Sequence, residues 1–212
     1  MAPQILVFAG SLRARSMNRQ LAAVAAAAVE EAGGSAELLE LADYPMPMYD
    51  EDEETRSGLP EPVRAFKAKV VAAPGYIVCS PEYNGSLSPL LKNSLDWLSR
   101  QGDDPRPRAA YDGKVIGLMA ASDGGLGGLR GLVHLRQILS NLGAHVHPEQ
   151  FALSHAGSAF DGDGRLRDPQ SRAMVARVAG GVVDLARRLV GKAGAGWQAS
   201  PSRLVIGRWR LI

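Results

Sequence analysis

Three short, almost uninterrupted apolar runs, Ile5–Ala9, Tyr76–Cys79 and Val115–Ala121, each stop abruptly at a loop rich in Gly, Ser, Asn or Asp, and a helical pattern follows each loop. Such runs, with no polar alternation, belong to strands buried on both faces. Buried strands separated by helices imply a parallel sheet with right-handed crossovers and helices packed on both sides. The rest of the chain agrees. Asn18–Ala32 is an Ala-rich helix stopped by Gly33-Gly34, and Ala36–Leu41 alternates apolar and polar like an edge strand. Glu61–Ala73, Pro89–Arg100, Gly127–Leu142 and Pro169–Val190 read as helices, and His145–Ala152 as a more polar fifth strand at an edge. Asp43–Pro60, with three prolines and the acidic run Asp50–Glu54, has no period and reads as a solvated loop. The expected fold class is α/β.

The 212 residues suit a single domain, here 1–190, followed by a tail at 191–212 that mixes Gly, Ala and Ser with Trp197 and Trp209. That tail is expected to dock on a neighbouring subunit. A net charge of +2, with Lys and Arg dispersed, argues against a nucleic-acid partner. The single cysteine, Cys79, excludes an intramolecular disulfide and a cysteine-based metal cluster. No apolar stretch approaches the ~20 residues that span a bilayer, so no membrane partner is expected. The N-terminus runs straight into a strand without a basic and apolar leader, and a cytoplasmic protein is the expectation.

Ligands of open parallel sheets bind beyond the carboxyl ends of the strands, where the three loops converge. The first, Gly10-Ser11-Leu12-Arg13-Ala14-Arg15-Ser16-Met17-Asn18, joins a strand to a helix. A helix N-terminus offers unpaired N–H groups and the positive end of the dipole. Ser11, Arg13, Ser16 and Asn18 add side-chain donors there, and a doubly charged phosphate fits the set. Ser16 and Asn18 are also good N-caps, which by itself needs no ligand. The second loop, Pro81-Glu82-Tyr83-Asn84-Gly85, offers rigidity, backbone donors and an aromatic ring suited to a flat heteroaromatic group. The third, Ser122-Asp123-Gly124-Gly125, lets the backbone approach such a ring closely.

These motifs, with Leu91-Lys92-Asn93-Ser94-Leu95-Asp96-Trp97 and Gly124-Gly125-Leu126-Gly127-Gly128-Leu129-Arg130, resemble the NAD(P)H-dependent FMN reductases, a flavodoxin-like family that includes quinone, azo-dye and chromate reductases. The resemblance spans roughly residues 4–190. It implies a three-layer sandwich with a five-stranded parallel sheet in the order 2-1-3-4-5. It implies bound FMN, with NADPH or NADH as co-substrate and a quinone-like or other small molecule as electron acceptor. Ser11, Arg13, Ser16, Met17 and Asn18 would hold the phosphate; Pro81, Glu82, Tyr83, Asn84, Gly85, Ser122, Gly124 and Gly125 would border the isoalloxazine. The cofactor carries the reaction, so no catalytic side chain is expected. Asp123 departs from the pattern by placing a negative charge near the ring. Family members assemble as homodimers or homotetramers, and 43–60 would approach a neighbouring subunit's site. The apolar stripe Leu90, Leu91, Leu95, Leu98, widened by Trp97, looks too broad for one sheet and points to a subunit interface.

Two other readings compete. A flavodoxin-type one-electron carrier is usually more acidic and lacks a residue such as Arg13. A flavin-binding regulatory protein would hold FMN without turning over NAD(P)H. No metal site is expected: His145 and His147 lack further ligands, and Asp161-Gly162-Asp163-Gly164 lacks the later residues of a calcium loop. His134 reads as a surface residue and Cys79 as inert packing. No Gly-x-Gly-x-x-Gly follows the first strand, and the first loop holds neither the Lys of a nucleotide-triphosphate loop nor a nucleophilic cysteine.

Overall fold

A computed structural model of the chain describes residues 2–102, 106 and 108–193. Its elements, in order, are β1 (Gln4–Ala9), α1 (Met17–Glu31), β2 (Ser35–Leu39), α2 (Glu51–Ser57), α3 (Glu61–Ala72), β3 (Gly75–Cys79), β4 (Glu82–Tyr83), β5 (Ser86–Leu87), α4 (Pro89–Ser99), β6 (Val115–Ala121), α5 (Leu129–Asn141), β7 (His145–Leu153) and α6 (Pro169–Ala193). Five strands form one parallel sheet in the order β2-β1-β3-β6-β7. Counted without the small β4–β5 ribbon, this is the expected 2-1-3-4-5.

The period of two along each buried strand divides the core in two. Ile5, Val7, Ile77 and Met119 face α1 and α6, against Leu21, Val29, Val178 and Val182. Leu6, Phe8, Tyr76, Val78 and Leu118 face the other side, against Phe66 of α3, Leu91 and Leu95 of α4, and Leu132 and Leu135 of α5. All residues of β3 and β6 are buried, as helices on both faces require. The edge strands β2 and β7 keep exposed positions, and β7 carries a register shift opposite Ile116–Leu118.

Four expectations change. The acidic run is not an irregular loop. Asp50 caps α2 by accepting from the N–H groups of Asp52 and Glu53, and four acidic residues fill the first turn, where the dipole favours them. Gly58, at φ +71°, ends it. The helix buries nothing, so no hydrophobic period betrays it.

The 81–88 stretch is not a plain loop either: Glu82 pairs with Leu87 and Tyr83 with Ser86 across Asn84-Gly85, whose φ values of 51° and 79° suit a tight hairpin turn.

The third change concerns the broad stripe of α4, which is covered within the chain. Leu91, Leu95 and Leu98 face the sheet, whereas Trp97 packs on Leu59 and Val63. Its Nε1 donates to Pro47 O at 2.8 Å, and the Tyr49 ring meets it edge-on at 5.0 Å. Asn93 receives the Tyr49 N–H and donates to Pro47 O, so the 45–49 segment is strapped onto α4. The stripe's width therefore gives no ground for a subunit interface.

Finally, α6 runs to Ala193, past its expected end at Val190; the remainder of the tail, 194–212, lies outside the described residues. Among the described residues no helix is long and apolar enough to cross a membrane, and no cluster of His, Cys, Asp and Glu is placed to hold a metal ion.

If Trp97 fastens the strap rather than a second subunit, Trp97→Ala lowers stability by about 3–5 kcal/mol in urea denaturation. The sedimentation coefficient of the folded protein stays the same.

Candidate functional site

Strand order reverses between β1 and β3, so the loops that leave them diverge and open a crevice at the carboxyl edge of the sheet. Ser88, N-cap of α4, holds the crevice floor. Its hydroxyl donates to Gly10 O at 2.7 Å and accepts from the Leu91 N–H at 3.2 Å. Gly10 N–H donates to Cys79 O at 3.0 Å. A Cβ on Gly10 would lie 2.9 Å from Leu91 Cβ, so only glycine lets the first loop sit this close to α4. Sequence reasoning named neither role, although Ser followed by Pro is a recognisable helix start.

Beyond Gly10 the chain forms a cradle of donors. Ser11 is buried, and its Oγ accepts from the Arg13 N–H at 3.3 Å. Ser16 caps α1, its Oγ accepting from Arg19 N–H at 3.4 Å, which leaves the hydroxyl proton free. The Met17 and Asn18 N–H groups, at the helix N-terminus, have no acceptor among the described residues. The Arg13 side chain is exposed and no described carboxylate pairs with it. Free donors and a helix dipole meet at one place, Arg13 is exposed in the same loop, and a terminal phosphate fits this set of groups. Asn18 departs from expectation. Its carboxamide is buried and bonded to the Ala121 backbone, so only its N–H is available to an anion.

On the other side of the crevice stands the β4–β5 ribbon. Pro81 and Gly85 are partly exposed, Asn84 is exposed at the turn, and Tyr83 presents a half-exposed ring. Glu82, expected to border the ring, has a second task. Its Oε1 accepts from Arg130 Nε at 2.7 Å and its Oε2 from the Gly131 N–H at 3.2 Å, pinning the ribbon to the start of α5. Burial pushes its carboxyl up, but the Arg130 guanidinium and the Gly131 N–H outweigh burial and hold it below the usual range. A depressed carboxyl contributes stability that is complete above its unfolded pKa and lost as pH falls through the folded one. The clamp therefore loosens only in acid.

The third loop is stapled to the turn after β7. Ser122 Oγ accepts from the Gly124 N–H at 3.3 Å, and Ser122 O accepts from the Ala156 N–H at 3.1 Å. Asp123, read as a charge near the ring, accepts from the Gly157 N–H at 2.7 Å. The glycines the fold requires are Gly127 and Gly128, at φ +60° and +92°, where a Cβ would sit 2.7 Å from backbone and 2.8 Å from Ala120 Cβ. Gly125 has nothing within 4 Å of a built Cβ, and Gly124 only Ser122 Oγ at 3.7 Å. Those two glycines satisfy no need of the chain itself.

Burial pushes the Cys79 thiol far up, which leaves no thiolate beneath the site at neutral pH.

The sequence model of the NADPH-dependent FMN reductase family matches residues 3–158, which takes in all three loops. An NAD(P)H-dependent FMN reductase of Pseudomonas aeruginosa is 36% identical over 177 residues, covering 81% of this chain and 89% of its own. A quinone reductase of Escherichia coli is 38% identical over 147 residues, 68% of this chain and 72% of its own. Among solved structures, the flavoenzyme NAD(P)H:(acceptor) oxidoreductase of Paracoccus denitrificans superposes with a TM-score of 0.74 at 25% identity, covering 88% of this chain and 98% of its own. The chain therefore belongs to the NADPH-dependent FMN reductase family, and is an oxidoreductase of flavodoxin-like fold with FMN as its cofactor and NAD(P)H as its reductant.

Proposed function

We propose that the chain binds FMN in the crevice between the β1 and β3 loops and passes electrons from NAD(P)H to quinone-type acceptors. The observation that carries this reading is the cradle of unsatisfied donors, with Arg13 free beside it. Ser11, Arg13, Ser16 and the N–H groups of Met17 and Asn18 hold the phosphate. Pro81, Glu82, Tyr83, Asn84, Gly85, Ser122, Gly124 and Gly125 border the ring, Glu82 by holding its ribbon in place. Bound there, FMN would supply the hydride-accepting and electron-donating chemistry, while these residues hold and orient it.

What the chain contributes is orientation and an apolar rim. Each loop carries one exposed apolar or aromatic side chain: Leu12 (56%), Tyr83 (45%) and Leu126 (53%). Such a rim suits a nicotinamide or a flat quinone. Exposed Leu129 and Val133, one turn apart on α5, support self-association as a homodimer or homotetramer. A buried free thiol as the sole cysteine fits a cytoplasmic setting.

Arg13→Ala is expected to weaken FMN binding by about 1.5–3 kcal/mol in calorimetry, the scale of a charge-assisted hydrogen bond, and to leave riboflavin binding nearly unchanged. Equal losses would place Arg13 away from the phosphate. Because nucleotide and acceptor share one rim, double-reciprocal plots at several acceptor concentrations are expected to be parallel. Intersecting lines with a detectable ternary complex would require two sites. Cys79→Ala keeps most of the NAD(P)H turnover and costs about 1 kcal/mol of stability. Loss of turnover with FMN still bound would make the thiol a redox group. An inability of NAD(P)H to reduce the bound flavin would favour a carrier or regulatory protein.

A further inference from the structure

Asn18 closes the anion cradle, yet its side chain turns away from it. The residue is 3% exposed, and its Nδ2 donates to Ala121 O at 2.9 Å while its Oδ1 accepts from Ala121 N–H at 2.9 Å. Ala121 is the last residue of β6, and the ring-side loop begins at Ser122.

The reason lies in the sheet. β3 pairs with β6 as far as Cys79 and Met119, and Ser80 N–H adds one more bond to Met119 O at 2.8 Å. The chain then turns into Pro81 and the ribbon. Two residues beyond Met119, the Ala121 N–H and C=O face the same edge again and have lost their strand. On the opposite edge, β7 still pairs with Ala121, and Ser122 N–H donates to Leu153 O. A carboxamide presents an N–H and a C=O side by side, as a peptide does. Asn18 thus supplies the missing rung and extends the sheet by one residue from the side of α1. This joins the first turn of α1 to the start of the 122–128 loop.

We propose that Asn18 is a positioning residue that sets the ring-side loop relative to the phosphate cradle, so that its side chain governs the binding and electronic environment of the flavin ring and not the phosphate. The inference rests on FMN occupying this crevice. The two ends of the ligand are then held by one rigid piece: the cradle at Ser16–Asn18 and the loop at Ser122–Gly125, bridged by two hydrogen bonds. Removing the amide leaves a buried N–H and C=O without partners and frees the loop to drift.

The test uses the full chain, stripped of flavin and titrated calorimetrically with FMN and with riboflavin, for the wild type, Asn18→Ala and Asn18→Asp. Asn18→Ala is expected to lower both affinities by the same factor, about tenfold, as for a buried hydrogen-bonding pair left open. With FMN saturating, its visible spectrum and midpoint potential shift from the wild type. Asn18→Asp keeps the acceptor for the Ala121 N–H but sets a carboxylate against Ala121 O. Its riboflavin affinity is therefore low at neutral pH and recovers as pH falls, when the protonated acid donates again.

Loss of FMN affinity with riboflavin unchanged would assign the amide to the phosphate and overturn the proposal. So would no loss for either flavin, or an unshifted spectrum and potential. If Asn18→Ala does not fold, Asn18→Asp decides: riboflavin binding that does not depend on pH overturns the proposal. A wild-type chain that takes up neither flavin overturns the cofactor reading itself.

Discussion

The approach of the first loop to α4, with Gly10 against Leu91 and the Ser88 hydroxyl between them, sets where everything else in the crevice can stand. Three backbones meet there: β1 through Gly10, β3 through Cys79 O, and α4 through Leu91 N–H. Any side chain at position 10 would force the loop away from the helix, since its Cβ would lie 2.9 Å from Leu91 Cβ. The donors of the cradle would then no longer lie above the switch point of the sheet. The apolar interior makes this arrangement stiff. The strands beneath it are buried on both faces, so the sheet edge does not yield to local strain.

A site for an anion must also keep its own anions away. Two carboxylates lie in the ring-side loops, and each is spent on a local partner. Glu82 is held by Arg130 and the Gly131 N–H, Asp123 by the Gly157 N–H. Both therefore act as fasteners, one for the ribbon and one for the third loop. Arg13, by contrast, has no carboxylate partner among the described residues. The positive charge stays available, while the negative charges are neutralised or bonded within a few ångströms. The same logic explains α2. Its acidic first turn is stabilised by its own dipole, Glu53 is paired with Arg56, and Glu54 is held by Arg100 and Tyr49.

Much of this was legible before any coordinates. Uniformly apolar runs that end in Gly or Ser identify central strands, and β1, β3 and β6 fall where those runs lie. Ser16 as a cap, and the convergence of three loops, follow from the same signals. What was not legible depended on distance along the chain. Asn18 reads as a phosphate donor because nothing nearby reveals that Ala121, 103 residues later, lacks a strand partner. The fastening role of Glu82 appears only when Arg130, 48 residues later, is brought beside it. Trp97 reads as interface because the segment that covers it, Pro47 to Tyr49, has no periodicity. The helix α2 buries no residue, so only its cap and its terminal glycine mark it. Gly124 and Gly125 look essential, yet the chain itself requires Gly127 and Gly128.

The rigidity of these parts bears on what the site can accept. The 45–49 strap is fixed to α4 through Asn93 and Trp97, and Arg100 lies 5.2 Å above the Tyr49 ring. Flexible closure over a substrate is not built into that strap. If acceptors stack in the crevice, selectivity falls to the rim, where Leu12, Tyr83 and Leu126 offer mainly apolar surface. A rim of that kind discriminates by flatness and size, since a methylene more or less in an apolar pocket is worth only about 1–3 kcal/mol. Polar groups stand beside that rim, the exposed Asn84 carboxamide and the Tyr83 hydroxyl, so a choice among flat acceptors would rest on them rather than on the apolar surface.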